Sequence, residues 1–187
     1  IDLDLRSHLK NQISEVDAGY WTSMTDLSRQ YLMFSSAILT LYVIPKFSKI
    51  KTSIDFRKEV IVIYKTLLPL FAIGVVLIFV LKKWIISITH GEQFFDMQYL
   101  FKWQLLGDLI KFIAIVLSYQ FLAKKQMGYF IFTEVLSVLM FYGFSVYFID
   151  IYGTDGVVIA HFVRYILYFL VVIYILRHNL IGENRTL

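Results

Sequence analysis

The stretch FKWQLLGDLIKFIAIVLSYQFLAKK, residues 101–125, sets a carboxylate at Asp108 and an ammonium at Lys111 inside an apolar run. The two charges stand nearly one helical turn apart, so they share a face and can pair with each other or with neighbouring helices. Gln104, Asp108, Lys111 and Ser118 all fall on one side of a helix, opposite Leu, Ile, Phe and Val. A second apolar run carries His161, Arg164, Tyr165 and Tyr168, a third carries Thr133, Glu134 and Ser137, and a fourth the pair Asp26 and Arg29. Arg29, Lys111 and Arg164 set against Asp26, Asp108 and Glu134 would hold an anion and leave carboxylates to exchange protons. Arg164 is the strongest anion candidate, because a guanidinium stays charged and forks onto phosphate. Lys65 adds to the positive side if it points inward, and Gln104 and His161 are secondary candidates. His161 is either a hydrogen-bonded wall residue or a proton relay.

Plainer readings stand beside these. Asp108 and Lys111 can be an intrahelical pair that fixes packing. Asp26 and Arg29 can sit among lipid headgroups, and Glu134 can pair with a basic neighbour. No catalytic set is legible: the sequence lacks HExxH, a Ser–His–Asp arrangement and a DxD-like loop pair. It has no cysteine, which removes thiolate chemistry and disulfides. We expect no catalytic residues, no metal and no cofactor.

The elements that carry these residues follow from composition. Of the 187 residues 58% are hydrophobic and 17% charged, with mean hydropathy +0.67; a soluble domain carries about a quarter charged residues. The apolar runs reach the ~20 residues that span a bilayer. The chain reads as an all-α integral membrane protein with five transmembrane helices: A at about 19–44, B at 60–81, C at 99–123, D at 127–149 and E at 156–176. Pro45 is expected to end helix A and Pro69 to kink helix B. A charge at the centre of such a helix costs roughly 2.5–3.5 kcal/mol on insertion scales, so one retained there points to function. The opening IDLDLRSHLKNQISEVDAGYW has neither an initiator Met nor a signal peptide, and we expect residues 1–187 to be a bundle cut from a longer protein.

The pI near 9.1 raises the question of nucleic acid, and the placement of the basic residues answers it. Lys46, Lys49, Lys51, Arg57, Lys58, Lys124, Lys125, Arg177 and Arg185 fall on one side of the membrane; Arg6, Lys10, Lys82 and Lys83 fall on the other. This is the positive-inside pattern, which predicts a cytoplasmic C-terminus and no nucleic-acid partner. Tyr20, Trp21, Trp84, Tyr99 and Trp103 then lie at the outer headgroup level.

AGYWTSMTDLSRQYL leading to YVIPKFSKI resembles a stretch of the bacterial lipid-linked oligosaccharide flippases, in the multidrug/oligosaccharidyl-lipid/polysaccharide exporter superfamily. In those proteins G-Y-[YW] opens a helix that ends in P-x-[LF]-S and a basic loop. WQLLGDLIK, with Trp103, Gln104, Leu105, Gly107, Asp108 and Lys111, is similar to a later helix of the O-antigen flippase type, closest to the enterobacterial common antigen flippases. TEVLS and the following Y-G-x-x-G loop also fit, and the likeness runs over essentially all 187 residues. It implies the last five helices of a twelve-helix, two-bundle transporter in the bacterial inner membrane. The implied activity is movement of an undecaprenyl-diphosphate-linked glycan (an O-antigen or enterobacterial common antigen unit) by alternating access, coupled to ions or protons. It implies as partners that lipid-linked glycan, membrane lipids, the missing N-terminal bundle, and glycan polymerase and chain-length proteins of lipopolysaccharide-type biosynthesis. The family pattern has the basic residue before the acidic one at the start of helix A. Here Asp26 precedes Arg29, so their individual roles do not transfer, and Arg164 rests on its chemistry alone. The rival readings are a multidrug exporter of the same superfamily, for which the Arg and Lys content is wrong, and a non-transporting scaffold or polymerase component. The loop at about 82–98 is too short for a polymerase's catalytic loop.

Overall fold

The computed structural model describes residues 13–181 together with Ser7; Arg6, Lys10 and Arg185 of the charge count lie outside them. In chain order come α1 Glu15–Lys49, α2 Ser53–Thr89, a 3-10 segment Glu92–Tyr99, α3 Phe101–Ala123, α4 Met127–Tyr152 and α5 Asp155–Leu180. All five helices are long and apolar enough to cross a membrane, and no strand occurs among the described residues. The chain is an all-helical, multi-pass membrane protein, and helices A to E correspond to α1 to α5.

The first two helices outrun their apolar cores. At 1.5 Å per residue the 37 residues of α2 extend about 55 Å, well past a hydrocarbon layer of ~30 Å. Thr52 starts α2 ahead of its apolar run by accepting a hydrogen bond from the Asp55 N–H at 3.2 Å, and Ser14 does the same for α1 through Asp17 at 3.0 Å. Pro45 does not end α1, which continues to Lys49. A proline this close to the end forfeits one ladder bond, and the last turn is held by other contacts. Phe47 is fully buried edge-on to Phe56, with centroids 5.0 Å apart, and Lys46 pairs with Glu59 at 2.5 Å. Pro69 likewise sits within a continuous α2.

The helices run up and down, so the turns after α1 and α3 and the end of α5 meet at one end. There Lys124 donates to the Ile50 carbonyl and Arg57 Nε donates to the Asn179 carbonyl at 3.2 Å. At the other end Tyr20 donates to the Gln93 carbonyl at 3.5 Å. Tyr99, whose phenol burial pushes up to about 12, reaches Asp17 at 3.5 Å.

α3 occupies the middle, packed on α1, α2 and α5, while α4 packs chiefly on α5. Two glycines permit the closest approaches. A Cβ at Gly107 on α3 would stand 2.4 Å from the His161 ring and 3.3 Å from the Phe162 backbone on α5; one at Gly156 would stand 2.2 Å from the Phe148 carbonyl on α4. Small residues at such crossings are how membrane helices gain packing when lipid offers no hydrophobic drive.

The buried apolar side chains form two clusters, stacked along the bundle. One takes Trp21, Met24 and Leu27 from α1, Phe101 and Leu105 from α3, and Val157 and Ala160 from α5. The other takes Leu39 and Val43, Phe112 and Leu117, and Tyr165 and Val172 from the same three helices. Between them each helix leaves a gap, at about 28–38, 107–111 and 161–164, and the polar residues fall in it. Exposed Leu41, Leu70, Ile73, Val80 and Leu139 cover the outside, as lipid requires. Gly156→Val is expected to lower stability by about 1–3 kcal/mol through overpacking, read as a fall in the thermal midpoint of the purified full-length protein. An unchanged midpoint would mean that α4 and α5 are not held as close as described.

Candidate functional site

Asp108 is the centre of the polar gap and is fully buried. Three helices converge on its carboxylate. Tyr31 of α1 donates its phenol to Oδ2, and His161 of α5 lies 2.9 Å from Oδ1 through Nε2. Ser28 donates in turn to the Tyr31 oxygen at 3.1 Å, and the Gln104 amide lies 3.5 Å from His161 Nε2. Arg164 reaches the other ring nitrogen, with Nη2 3.5 Å from Nδ1. A guanidinium only donates, so Nδ1 accepts and Nε2–H donates to Asp108. His161 is therefore the neutral Nε2–H tautomer, wedged between a carboxylate and a guanidinium.

The intrahelical Asp108–Lys111 pair gives way to this arrangement, because both oxygens of Asp108 are taken from other helices. Lys111 has no carboxylate within ion-pair distance among the described residues, and its ammonium lies 5.4 Å from the centre of the Tyr165 ring. Arg164 lies 4.5 Å from the Phe141 ring centre and 4.1 Å from that of Tyr165. Its Nε is buried and has no hydrogen-bond partner among the described residues. Two cations thus stand ready beside aromatic faces, one with an unused donor.

Both face a cavity of about 540 Å³ between α1, α3, α4 and α5. Ser28, Arg29, Gln104, Asp108, Lys111, His161 and Arg164 supply its polar wall; Trp21, Leu32, Val138 and Phe141 supply the rest. It grades from closed to open. Asp108 admits no solvent, whereas Arg29 is 66% exposed and pairs at 3.1 Å with Asp26, 48% exposed, next to the exposed Met33.

The structure brings together Arg29, Gln104, Asp108, Lys111, His161 and Arg164, with Asp26 at the mouth through Arg29. It does not bring in Lys65, which is exposed on α2, a helix that contributes nothing to the cavity. Nor does it bring in Glu134. That residue shares a stripe of α4 with Val138 and Phe141 but lies about 6 Å below the first of them by helical rise. It is exposed and accepts a hydrogen bond from Tyr168 at 2.8 Å. Ser118 is also below the cavity, donating to its own helix at Ile115. Trp21, expected at the headgroups, is instead 3% exposed and lines the cavity, because it lies two turns from Ser28 on the same face. Tyr31 was not legible as a site residue, although Ser28, Tyr31 and Ser35 repeat at helical spacing. Its partner is 77 positions away. Among the described residues no group of three or more His, Asp or Glu forms a metal site.

A polar cavity lined by retained charges, in a helical bundle long and apolar enough to cross a membrane, is more than packing in lipid requires. The chain is similar to the Lipid III flippases of Escherichia coli (strain K12) and Shigella flexneri, 30% identical to each over 165 residues. The matched part is 88% of this chain and 40% of each relative, so the chain spans about two fifths of their length. No family model matches, and no solved structure matches.

Since Asp108 is held by groups from separate helices, Tyr31→Phe and Asp108→Asn are expected to be non-additive. The coupling in a double-mutant cycle of unfolding should be about 0.5–3 kcal/mol. Additive effects would mean that the phenol does not serve the carboxylate.

Proposed function

We propose that this chain is part of a flippase that carries an undecaprenyl-diphosphate-linked glycan across the bacterial inner membrane by alternating access. The observation that carries the reading is the pair Lys111 and Arg164, unpaired with carboxylates, facing a cavity at the height where lipid alone could not solvate them. A diphosphate needs cations held in a protected place, and a glycan head needs hydroxyl and amide groups, here Ser28, Ser36 and Gln104. Similarity to proteins named lipid flippases supports the same class of cargo. The basic ends of α1, α3 and α5 lie together, which supports a cytoplasmic C-terminus. We take residues 1–187 as a C-terminal bundle. Its exposed Asp26–Arg29 pair at the cavity mouth would be covered by a second, N-terminal bundle of the same chain. Whether the glycan is an O-antigen or an enterobacterial common antigen unit depends on contacts beyond the charged set. Glycan polymerase and chain-length proteins are its expected neighbours in that biosynthesis.

The geometry around His161 supports a proton as the coupling ion. Its Nδ1 either accepts from Arg164 or carries a proton, and it cannot do both. An anion that draws Arg164 away frees Nδ1 for a proton, and by linkage a proton on Nδ1 releases Arg164 to the anion. Asp108, Lys111, Tyr31, Tyr165 and Arg29 are the other ionisable groups around this exchange. Proton and cargo are therefore taken up together in our reading.

The test is complementation by the full-length protein in a strain lacking its own flippase, at matched membrane expression. Lys111→Ala and Arg164→Ala are each expected to cut surface glycan at least about tenfold, the scale of losing a charge-assisted hydrogen bond, with precursor accumulating on the cytoplasmic leaflet. Normal export by both would overturn the reading. In vesicles, His161→Gln should flatten the dependence of transport on pH. An unchanged pH profile would remove His161 from coupling.

A further inference from the structure

At the end where the basic turns gather, a groove of about 690 Å³ runs between the α3–α4 turn, the start of α4 and the end of α5. It shares no lining residue with the polar cavity. Lys125 and Gln126 stand at its top, and Phe132 and Ile175 form its floor. Phe132 is half a turn of phase from Phe141, so the groove opens away from the cavity. The floor residues lie five positions inside the ends of α4 and α5, about 8 Å at 1.5 Å per residue. The groove therefore runs from headgroup level into the beginning of the hydrocarbon.

Its charge is segregated in the same direction. Lys124 is tied to the Ile50 carbonyl, whereas Lys125 is exposed and lines the groove. The last turn of α3 sets that position. The Lys125 N–H donates to the Leu122 carbonyl at 3.1 Å and the Gln126 N–H to the Phe121 carbonyl at 2.7 Å, a Schellman ending. It holds Lys125 at φ +56°, where glycine is the usual residue. α4 then starts without a side-chain cap, and the N–H groups of its first turn have no carbonyl within the helix. Met127, Gly128 and Tyr129 of that turn all line the groove. A Cβ at Gly128 would meet nothing within 4 Å, so the space beside them is open. No carboxylate lines the groove.

We infer that this groove binds an anionic phospholipid of the surrounding leaflet, its phosphate at Lys125 and an acyl chain over Phe132 and Ile175. Charge complementarity identifies the occupant. An ammonium and open N–H groups at the headgroup end attract a phosphate. An ethanolamine or choline head would bring its own cation beside Lys125, with no carboxylate to receive it. Moving an acyl chain from bilayer to groove gains no hydrophobic free energy, so the selectivity resides in the head. The inference is independent of the cargo proposed above, because none of the cavity residues takes part.

The experiment uses the full-length protein in detergent micelles, with phosphatidylglycerol or phosphatidylethanolamine as probe and native mass spectrometry to count the retained lipid. The wild type should hold its tightest phosphatidylglycerol about fivefold more strongly than phosphatidylethanolamine, the scale of one charge-assisted contact. Lys125→Gly should bring that ratio to about one. Glycine suits the left-handed position, so this variant should melt no lower than the wild type in the absence of added lipid, which separates lost binding from lost fold. Lys111→Ala, which alters only the cavity, should leave the preference intact. Equal retention of the two lipids by the wild type overturns the proposal. So does a preference that survives Lys125→Gly or disappears in Lys111→Ala. Displacement of the phosphatidylglycerol by equimolar undecaprenyl diphosphate would make the groove a cargo site and also overturns it.

Discussion

The structure turns on one buried carboxylate. Asp108 has no access to solvent, and water cannot repay its desolvation, so protein must. Two neutral donors on different helices do this, the Tyr31 phenol and the His161 imidazole. Binding them fixes α1, α3 and α5 at one height. Breaking such a set by removing one member leaves a charge without its partners, which costs far more than the set contributes when whole. The carboxylate therefore specifies how the three helices align, and the apolar clusters above and below supply the bulk of the packing.

That alignment has consequences outward from Asp108. Gly107 has no Cβ, so α5 comes near enough for His161 to reach the neighbouring residue. With His161 placed, Arg164 is drawn to its free nitrogen one turn on, over the rings of Phe141 and Tyr165. With Asp108 occupied from other helices, Lys111 keeps its charge for something else. Two cations become available because one anion is satisfied by neutral groups. A simple pairing of Asp108 with Lys111 would have left the cavity without that capacity.

Much of this was legible in the sequence. The five helices follow from apolar runs long enough for a bilayer, and the shared face of Gln104, Asp108 and Lys111 follows from helical phase. Their ends were less legible. The Thr52 cap carries α2 back to Ser53, and Pro45 acts within the last turn instead of ending it. Helical phase places the polar set on four inward faces, but phase within one helix does not give height relative to another. Glu134 shares the phase of Phe141 and still falls below the cavity, where Tyr168 takes it. Lys65 sits on a helix whose packing keeps it outside. Tyr31 and Trp21 resemble interface aromatics in composition; only the approach of α3 gives Tyr31 its carboxylate partner, and only the packed bundle makes Trp21 a wall of the cavity.

The central claim is that the space beside Asp108 is a water-filled path for an anionic lipid head and not a packing defect. The direct measurement is thiol accessibility in a full-length protein made cysteine-free elsewhere. Ser36→Cys, on the cavity wall, should react with a membrane-impermeant maleimide, and undecaprenyl diphosphate should protect it. Ser145→Cys, fully buried away from the cavity, should not react. Protection at Ser36 with silence at Ser145 is the expected result. A Ser36 thiol that never reacts, or that reacts without protection by the lipid, would contradict the account.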